Sequence, residues 1–425
     1  MLVGLLSAVV LAAAVPDAAL PGDWQGVWVR DGASLEVRFH FEARAGELRG
    51  SFDSDPLRAA GIPLSALQAT EQGVHFELAG DVSTTRFDGA FRGDSLTGTF
   101  EDGEARGTFA LARAAARREP RQEDVSFEDG PVTLAGTLVR PASNGLAPAV
   151  VFVHGSGPEG RWASRYLAFT LARAGIASLI YDKRGVGGST GDWRSAGFEE
   201  LAADARAAVR FLRTRPGIDS ARVGIHGHSQ GGTLAPLVAA RNPEVKFVVA
   251  SSGDGVSMAD CEIYSYSNAL GVPSLHGPDS AMAADYVREL ISVGYDGAPR
   301  GRLDSLAAAF KDRPWFAPPP APDNPWWSIS QRISGYDPTA WWRLVRVPVL
   351  LLYGEADQRV PAASSLRRIT AALAQGGNFR VTRQVFAGAD HTFRLPGAPG
   401  KFAWPRTAPG YPEVIPDWIS KLEGR

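Results

Sequence analysis

Residues 223–232 read Val-Gly-Ile-His-Gly-His-Ser-Gln-Gly-Gly, which sets Ser229 between Gly227 and Gly231. A strand-like apolar run, 223–225, precedes the serine, and a helical pattern starts near Thr233. A serine on so sharp a strand-to-helix turn occupies a strained backbone that only small flanking residues permit, and Gly227 and Gly231 supply them. Its Oγ is then exposed at the carboxyl end of a sheet, beside a helix N-terminus that favours developing negative charge. The plainer alternative is a tight turn carrying an incidental serine.

The surroundings favour the first reading. Residues 149–153, 177–181, 247–250 and 347–352 are further continuous apolar runs, and segments of helical period lie between them at 165–174, 198–213 and 232–241. Buried runs alternating with amphipathic helices mean a mostly parallel sheet with helices on both faces, so residues 120–425 are expected to be α/β. The alternation breaks between about 254 and 338. That stretch holds a polar helix near 281–292 and six prolines within 314–325, which suit a stiff lid over one end of the sheet. Its Trp315, Phe316, Trp326 and Trp327 either line an apolar pocket or pack the lid onto the sheet.

Residues 19–115 read differently, as a β-rich domain. Leu35, Val37, Phe39 and Phe41 alternate with polar residues, as do Val74, Phe76 and Leu78. Gly89-Ala-Phe91, Gly98-Thr-Phe100 and Gly107-Thr-Phe109 recur every nine residues with turn signals between them, which predicts an antiparallel meander, a small barrel or sandwich. A structural or docking role suits it better than ligand binding. Residues 1–18 open with an apolar run of fifteen, too short for a membrane-spanning helix of about 20, followed by small residues. A cleaved signal peptide and export to the periplasm or medium are expected, although the run lacks a basic start.

Composition narrows the function classes. With 425 residues, 44% hydrophobic and 21% charged, the chain is folded and has about two or three domains. Lys+Arg of 44 against Asp+Glu of 46 leaves a net charge of −2, which argues against nucleic acid as a partner and against a membrane surface. Cys261 is the only cysteine, so neither an internal disulfide nor a thiolate metal cluster is possible. No histidine pair has carboxylates at metal spacing; no metal and no cofactor is implied.

A nucleophilic serine needs a base and an acid. The strand–serine–helix turn resembles that of the α/β-hydrolases, and in their order the acid and then the histidine follow the serine in the chain. Of the seven histidines, His40 and His75 lie in the β-rich part, His154, His226 and His228 precede Ser229, and His276 lies in the insertion. His391, in a loop after the strand-like residues 379–386, remains. Residues 347–357 end in Glu355-Ala-Asp357, and the loop end favours Asp357 as the acid, with Glu355 serving the turn and Asp390 the histidine loop. His154-Gly-Ser156-Gly-Pro158 follows an apolar strand where an oxyanion loop belongs. The backbone N–H groups of Ser156 and Gln230 are the expected oxyanion donors, and His154 is expected to brace the loop.

Together these residues resemble the α/β-hydrolase superfamily of serine hydrolases over roughly 125–425. Tyr181-Asp-Lys-Arg-Gly-Val-Gly-Gly-Ser189 is similar to a supporting loop of many members, and Asp182 with Arg184 is expected to brace it as a buried pair. The combination with Gly-His-Ser-Gln-Gly-Gly and the tail 408–418 most resembles bacterial carboxylesterases of the EstD type. The hydrolase domains related to dienelactone hydrolase and to bile acid–CoA acyltransferases share these features. Dienelactone hydrolases use a cysteine nucleophile, so Ser229 argues against that activity. The resemblance implies an α/β-hydrolase fold with a lid insertion and an N-terminal all-β domain. The activity it implies is hydrolysis of small-molecule carboxylic esters, of short to medium acyl chain, through an acyl-enzyme. Acyl transfer and peptide hydrolysis use the same triad and stand as alternatives.

Overall fold

The structure, a computed structural model, describes residues 20–424 apart from 45, 72, 81, 398 and 399. The expected signal segment, 1–18, lies outside the described residues.

The chain divides into two compact units: Met1–Arg118 with Gly397–Pro405, and Glu119–Pro396 with Arg406–Arg425. In the first, nine antiparallel strands follow one another: β1 (Gly22–Arg30), β2 (Ala33–Arg44), β3 (Glu47–Ser54), β4 (Ala59–Pro63), β5 (Ser65–Ala69), β6 (Gly73–Ala79), β7 (Thr84–Arg92), β8 (Ser95–Asp102) and β9 (Ala105–Arg113). Their order across the sheet is β4-β3-β2-β1-β9-β8-β7-β6-β5. The two edge strands, β4 and β5, are joined through Leu64 alone, so the sheet has to curl round on itself as a barrel. Alternate side chains point inward and fill it with rings: Trp28 stacks on Phe52 at 5.0 Å and Phe76 on Phe87 at 4.7 Å, with Phe39, Phe41, Phe100 and Phe109 also buried. The repeat has a packing reason at Gly98, where a Cβ would stand 2.0 Å from the Asp88 carbonyl oxygen.

The expected boundary, an unbroken 120–425, is interrupted. Gly397–Pro405 packs with the barrel because the Trp404 indole donates to the Ala33 carbonyl at 3.0 Å and lies 6.3 Å from Trp28, while the Arg30 guanidinium covers the Phe402 ring.

The second unit carries the strands β10 (Arg121–Asp129), β11 (Val132–Arg140), β12 (Ala147–Val153), β13 (Ala177–Tyr181), β14 (Ile218–His228), β15 (Val248–Ser251), β16 (Val349–Gly354) and β17 (Val381–Phe386). Their order is β10-β11-β13-β12-β14-β15-β16-β17, antiparallel across β10, β11 and β13 and parallel from there on. β12, β13, β15 and β16 are buried along their whole length, which is why they read as continuous apolar runs. The connecting helices are α1 (Arg165–Arg173), α2 (Phe198–Arg213), α3 (Gln230–Ala240), α4 (Met258–Ala269), α5 (Pro278–Ile291), α6 (Gly301–Phe310), α7 (Trp326–Ile333), α8 (Pro338–Trp342), α9 (Ala362–Gln375) and α10 (Val414–Ser420). In α2, Phe198, Leu201, Ala202, Ala205, Ala208, Val209 and Leu212 form the buried stripe, and Glu200 accepts from the Gly197 N–H at 2.9 Å to close its first turn.

The segment between β15 and β16 carries α4 to α8, while 314–325, rich in proline, has no helix or strand. The helix expected to be polar, α5, is amphipathic instead: Ala283, Tyr286, Val287, Leu290 and Ile291 are buried. Among the described residues no helix is long and apolar enough to cross a membrane.

Candidate active site

The turn after β14 holds Ser229 at φ 56° and ψ −123°, a conformation that L-residues other than glycine adopt only under constraint. The constraint is tertiary. The Ser229 N–H donates to the Ser251 carbonyl at 2.9 Å, and the Thr233 N–H donates to the Ser229 carbonyl at 3.0 Å. A Cβ on Gly227 would stand 2.1 Å from the Gly231 carbonyl oxygen, and one on Gly231 would stand 2.2 Å from that of Val153. Both flanking glycines are therefore needed for close backbone approach.

Asp357 lies three residues beyond β16, buried, with its Oδ1 accepting from the N–H groups of Arg359 at 2.7 Å and Val360 at 2.9 Å. Its Oδ2 is 2.8 Å from His391 Nδ1. With Nδ1–H donating to the carboxylate, Nε2 keeps its lone pair, as a proton acceptor requires. The His391 carbonyl is held at 3.0 Å by both Ser252 Oγ and His228 Nε2. Glu355 accepts from the Gly388 N–H at 2.9 Å, and Asp390 from the N–H groups of Thr392 and Arg394 at 2.8 and 2.9 Å, so both carboxylates shape the histidine loop. Ser229, His391, Ser156 and Gln230 line one cavity of about 660 Å³, and no hydrogen bond joins Ser229 to His391 among the described residues.

The loop after β12 is braced from behind. His154 Nε2 is 2.5 Å from the Tyr181 carbonyl, and burial, reinforced by the Lys183 charge, holds its pKa down at about 3, so it is neutral. Lys183 is the larger brace. Its Nζ donates to the carbonyls of Gly155 at 2.5 Å and Gly157 at 2.9 Å, and to Gln230 Oε1 at 3.4 Å. Glu159 accepts from the Gly155 N–H at 2.5 Å. With its two neighbours turned toward Lys183, Ser156 has an N–H without a protein acceptor among the described residues, as has Gln230 at the start of α3. Burial lowers Lys183 to about 8 and raises Glu159.

Asp182 and Arg184 do not pair with each other. Asp182 binds Arg161, Nη2 to Oδ2 at 2.9 Å, and Arg184 binds Asp204 on α2 with two contacts of 2.8 Å. The chain leaves β13 after Tyr181 and turns at Arg184 and Gly185, so Asp182 and Arg184 face different neighbours. Lys183 between them projects to the loop after β12. The loop motif was visible in sequence, but nothing local assigned that role to its lysine. Of the insertion's rings, Trp326 lines the cavity, whereas Trp315 packs against Phe310 and Tyr286.

A family model described as serine aminopeptidase, S33, matches residues 146–259, the span that holds the Ser156 loop, Lys183 and Ser229. The unit that carries this match has the α/β-hydrolase fold. Esterase EstD of Thermotoga maritima is 28% identical to this chain over 250 residues, 55% of this chain and 53% of that protein. The thiohydrolase apmlB of Arthrinium phaeospermum is 35% identical over 131 residues, 30% of this chain and 42% of its own. The chain thus spans about half the length of these curated relatives, or less. A solved esterase of Pyrococcus furiosus is 18% identical, with a TM-score of 0.45 over 72% of this chain and 90% of that one.

Proposed function

We propose that this hydrolase cleaves small carboxylic esters in two steps through an acyl-enzyme on Ser229. The observation that carries the reading is the strained Ser229 at the head of α3, sharing a cavity with a histidine whose Nδ1 is 2.8 Å from a buried carboxylate. In the first step Ser229 Oγ attacks the ester carbonyl while His391 Nε2 takes the hydroxyl proton. Asp357 holds the imidazole and stabilises the imidazolium through Nδ1, without taking the proton. The N–H groups of Ser156 and Gln230 receive the negative charge on the carbonyl oxygen, each for about 10²–10³ in rate. His391 returns its proton to the leaving alkoxide, then activates a water that releases the acid and restores Ser229.

The insertion serves as the lid of this cavity, with α4 and α7 contributing to its wall. A volume of about 660 Å³ suits esters of short to medium chain. The test sets wild type beside Ser229→Ala on nitrophenyl esters of rising acyl length, with an aminoacyl anilide alongside because the family model is described as a peptidase's. Ester turnover lost in the variant supports the reading. Anilide cleavage without ester cleavage, or equal rates in the two proteins, refutes it.

A further inference from the structure

Helix α4 lines the cavity with one stripe: Met258, Cys261, Glu262, Ser265, Tyr266 and Ala269, spaced as a single helical face. Five of these are apolar, small or weakly polar. Cys261 Sγ is satisfied within the protein, donating to Asp254 Oδ1 at 2.6 Å, and Asp254 in turn accepts from Thr233 Oγ1 at 3.0 Å. Glu262 is different. Half-buried on the wall, its carboxyl makes no hydrogen bond and no ion pair among the described residues. Arg359 also lines the cavity and its charge acts on Glu262 through space, but the two make no ion pair among the described residues. A carboxyl partly withdrawn from water with no hydrogen-bond partner destabilises the fold. Such a group is explained by a partner that arrives with the substrate.

We propose that Glu262 is a specificity-determining residue that binds a hydroxyl group of the substrate, so that hydroxylated esters are preferred over plain alkyl esters of the same length. This rests on the esterase reading above. The hydroxyl is favoured over a cationic group for two reasons. Arg359 already places a positive charge on the same wall. Burial, with Asp254 nearby, raises Glu262 to about 7, so the carboxyl meets its ligand in both protonation states; a hydroxyl donates to one and accepts from the other. The partner hydroxyl belongs either to the acyl chain or to the alcohol.

The two sources are separated by comparing nitrophenyl 6-hydroxyhexanoate with nitrophenyl hexanoate, and the hexanoate of hexane-1,6-diol with that of hexan-1-ol. In wild type, kcat/KM is expected to favour the hydroxylated ester about tenfold or more in one pair. Glu262→Leu abolishes or reverses that ratio, and Glu262→Gln, which still donates and accepts, keeps most of it. No preference in either pair for wild type overturns the proposal, as does a ratio that Glu262→Leu leaves unchanged, or a stronger preference for the matching ammonium ester. Calorimetric binding of the same esters to Ser229→Ala repeats the comparison without chemistry. A hydroxyl preference in binding that vanishes in Ser229→Ala/Glu262→Leu supports the proposal even if no ester is turned over, in which case only the esterase reading fails.

Discussion

Replacing Lys183 with Met takes an ammonium away from the carbonyls of Gly155 and Gly157 and from Gln230 Oε1. Hydrogen bonds to a charged group contribute about 1.5–3 kcal/mol each, so the two carbonyl contacts together amount to about 3–6 kcal/mol. Against this stands the cost of burying the charge. The fall in pKa from 10.5 to about 8 corresponds to about 3 kcal/mol, which Met does not incur. The net loss of stability is therefore small, between about 0 and 3 kcal/mol. The loss of rate is not. Freed carbonyls let the Ser156 N–H turn out of line, and one misplaced oxyanion donor costs about 10²–10³ in kcat. Wild type should also lose kcat as pH rises through about 8, when the neutral amine keeps two N–H groups for three acceptors, and Lys183→Met should lack that limb. Glu159, which opposes the lowering, and Trp193, whose ring centroid is 5.7 Å from Nζ, face the ammonium and belong in the control set. Stability runs the other way. Between about 8 and 10.5 the unfolded chain binds more protons at this residue, so wild-type stability rises with pH there and falls as pH drops back through 8. The assay is kcat on a nitrophenyl ester from pH 6.5 to 9.5 with urea unfolding at the same points. A variant kcat within twofold of wild type, or a wild-type kcat flat across that range, refutes the reasoning.

Asp357→Asn should leave the fold intact and lower kcat by about 10⁴ with little change in KM, because the amide's N–H end faces Nδ1 and imposes the wrong tautomer; steady-state kinetics decide this. Gly231→Ala should cost about 1–3 kcal/mol in urea unfolding and most of the activity, since its Cβ meets the Val153 carbonyl oxygen at 2.2 Å and the turn at Ser229 has to open. Glu262→Gln should flatten the dependence of stability on pH. The raised carboxyl favours the folded state below about 4.5, and that contribution, about 3 kcal/mol, is lost as pH rises through about 7, so the variant should be the more stable protein at pH 8 and near parity at pH 4.5. An unchanged slope of melting temperature against pH would remove Glu262 as its cause.

Much of the architecture is legible from local pattern alone. Fully buried parallel strands have no polar face, so β12, β13 and β16 appear as apolar runs, and the barrel's strands appear as alternation because one face turns inward. Ser229 announces itself because a strained turn demands glycines two residues away on either side. The order serine, aspartate, histidine is what the resemblance to α/β-hydrolases implies. What the chain does not reveal is which distant groups meet. Lys183 reaches carbonyls 26 and 28 residues earlier and a glutamine 47 residues later. Asp182 and Arg184, two residues apart, turn to different partners, Arg161 and Asp204. Gly397–Pro405 joins the barrel through a hydrogen bond spanning 371 residues. Glu262 reads as one polar residue on an ordinary helix until α4 is seen to line the cavity with that face. Periodicity and backbone strain act within a few residues and are written in the chain, whereas partners and exposure depend on where chain segments converge, and only the folded structure decides that.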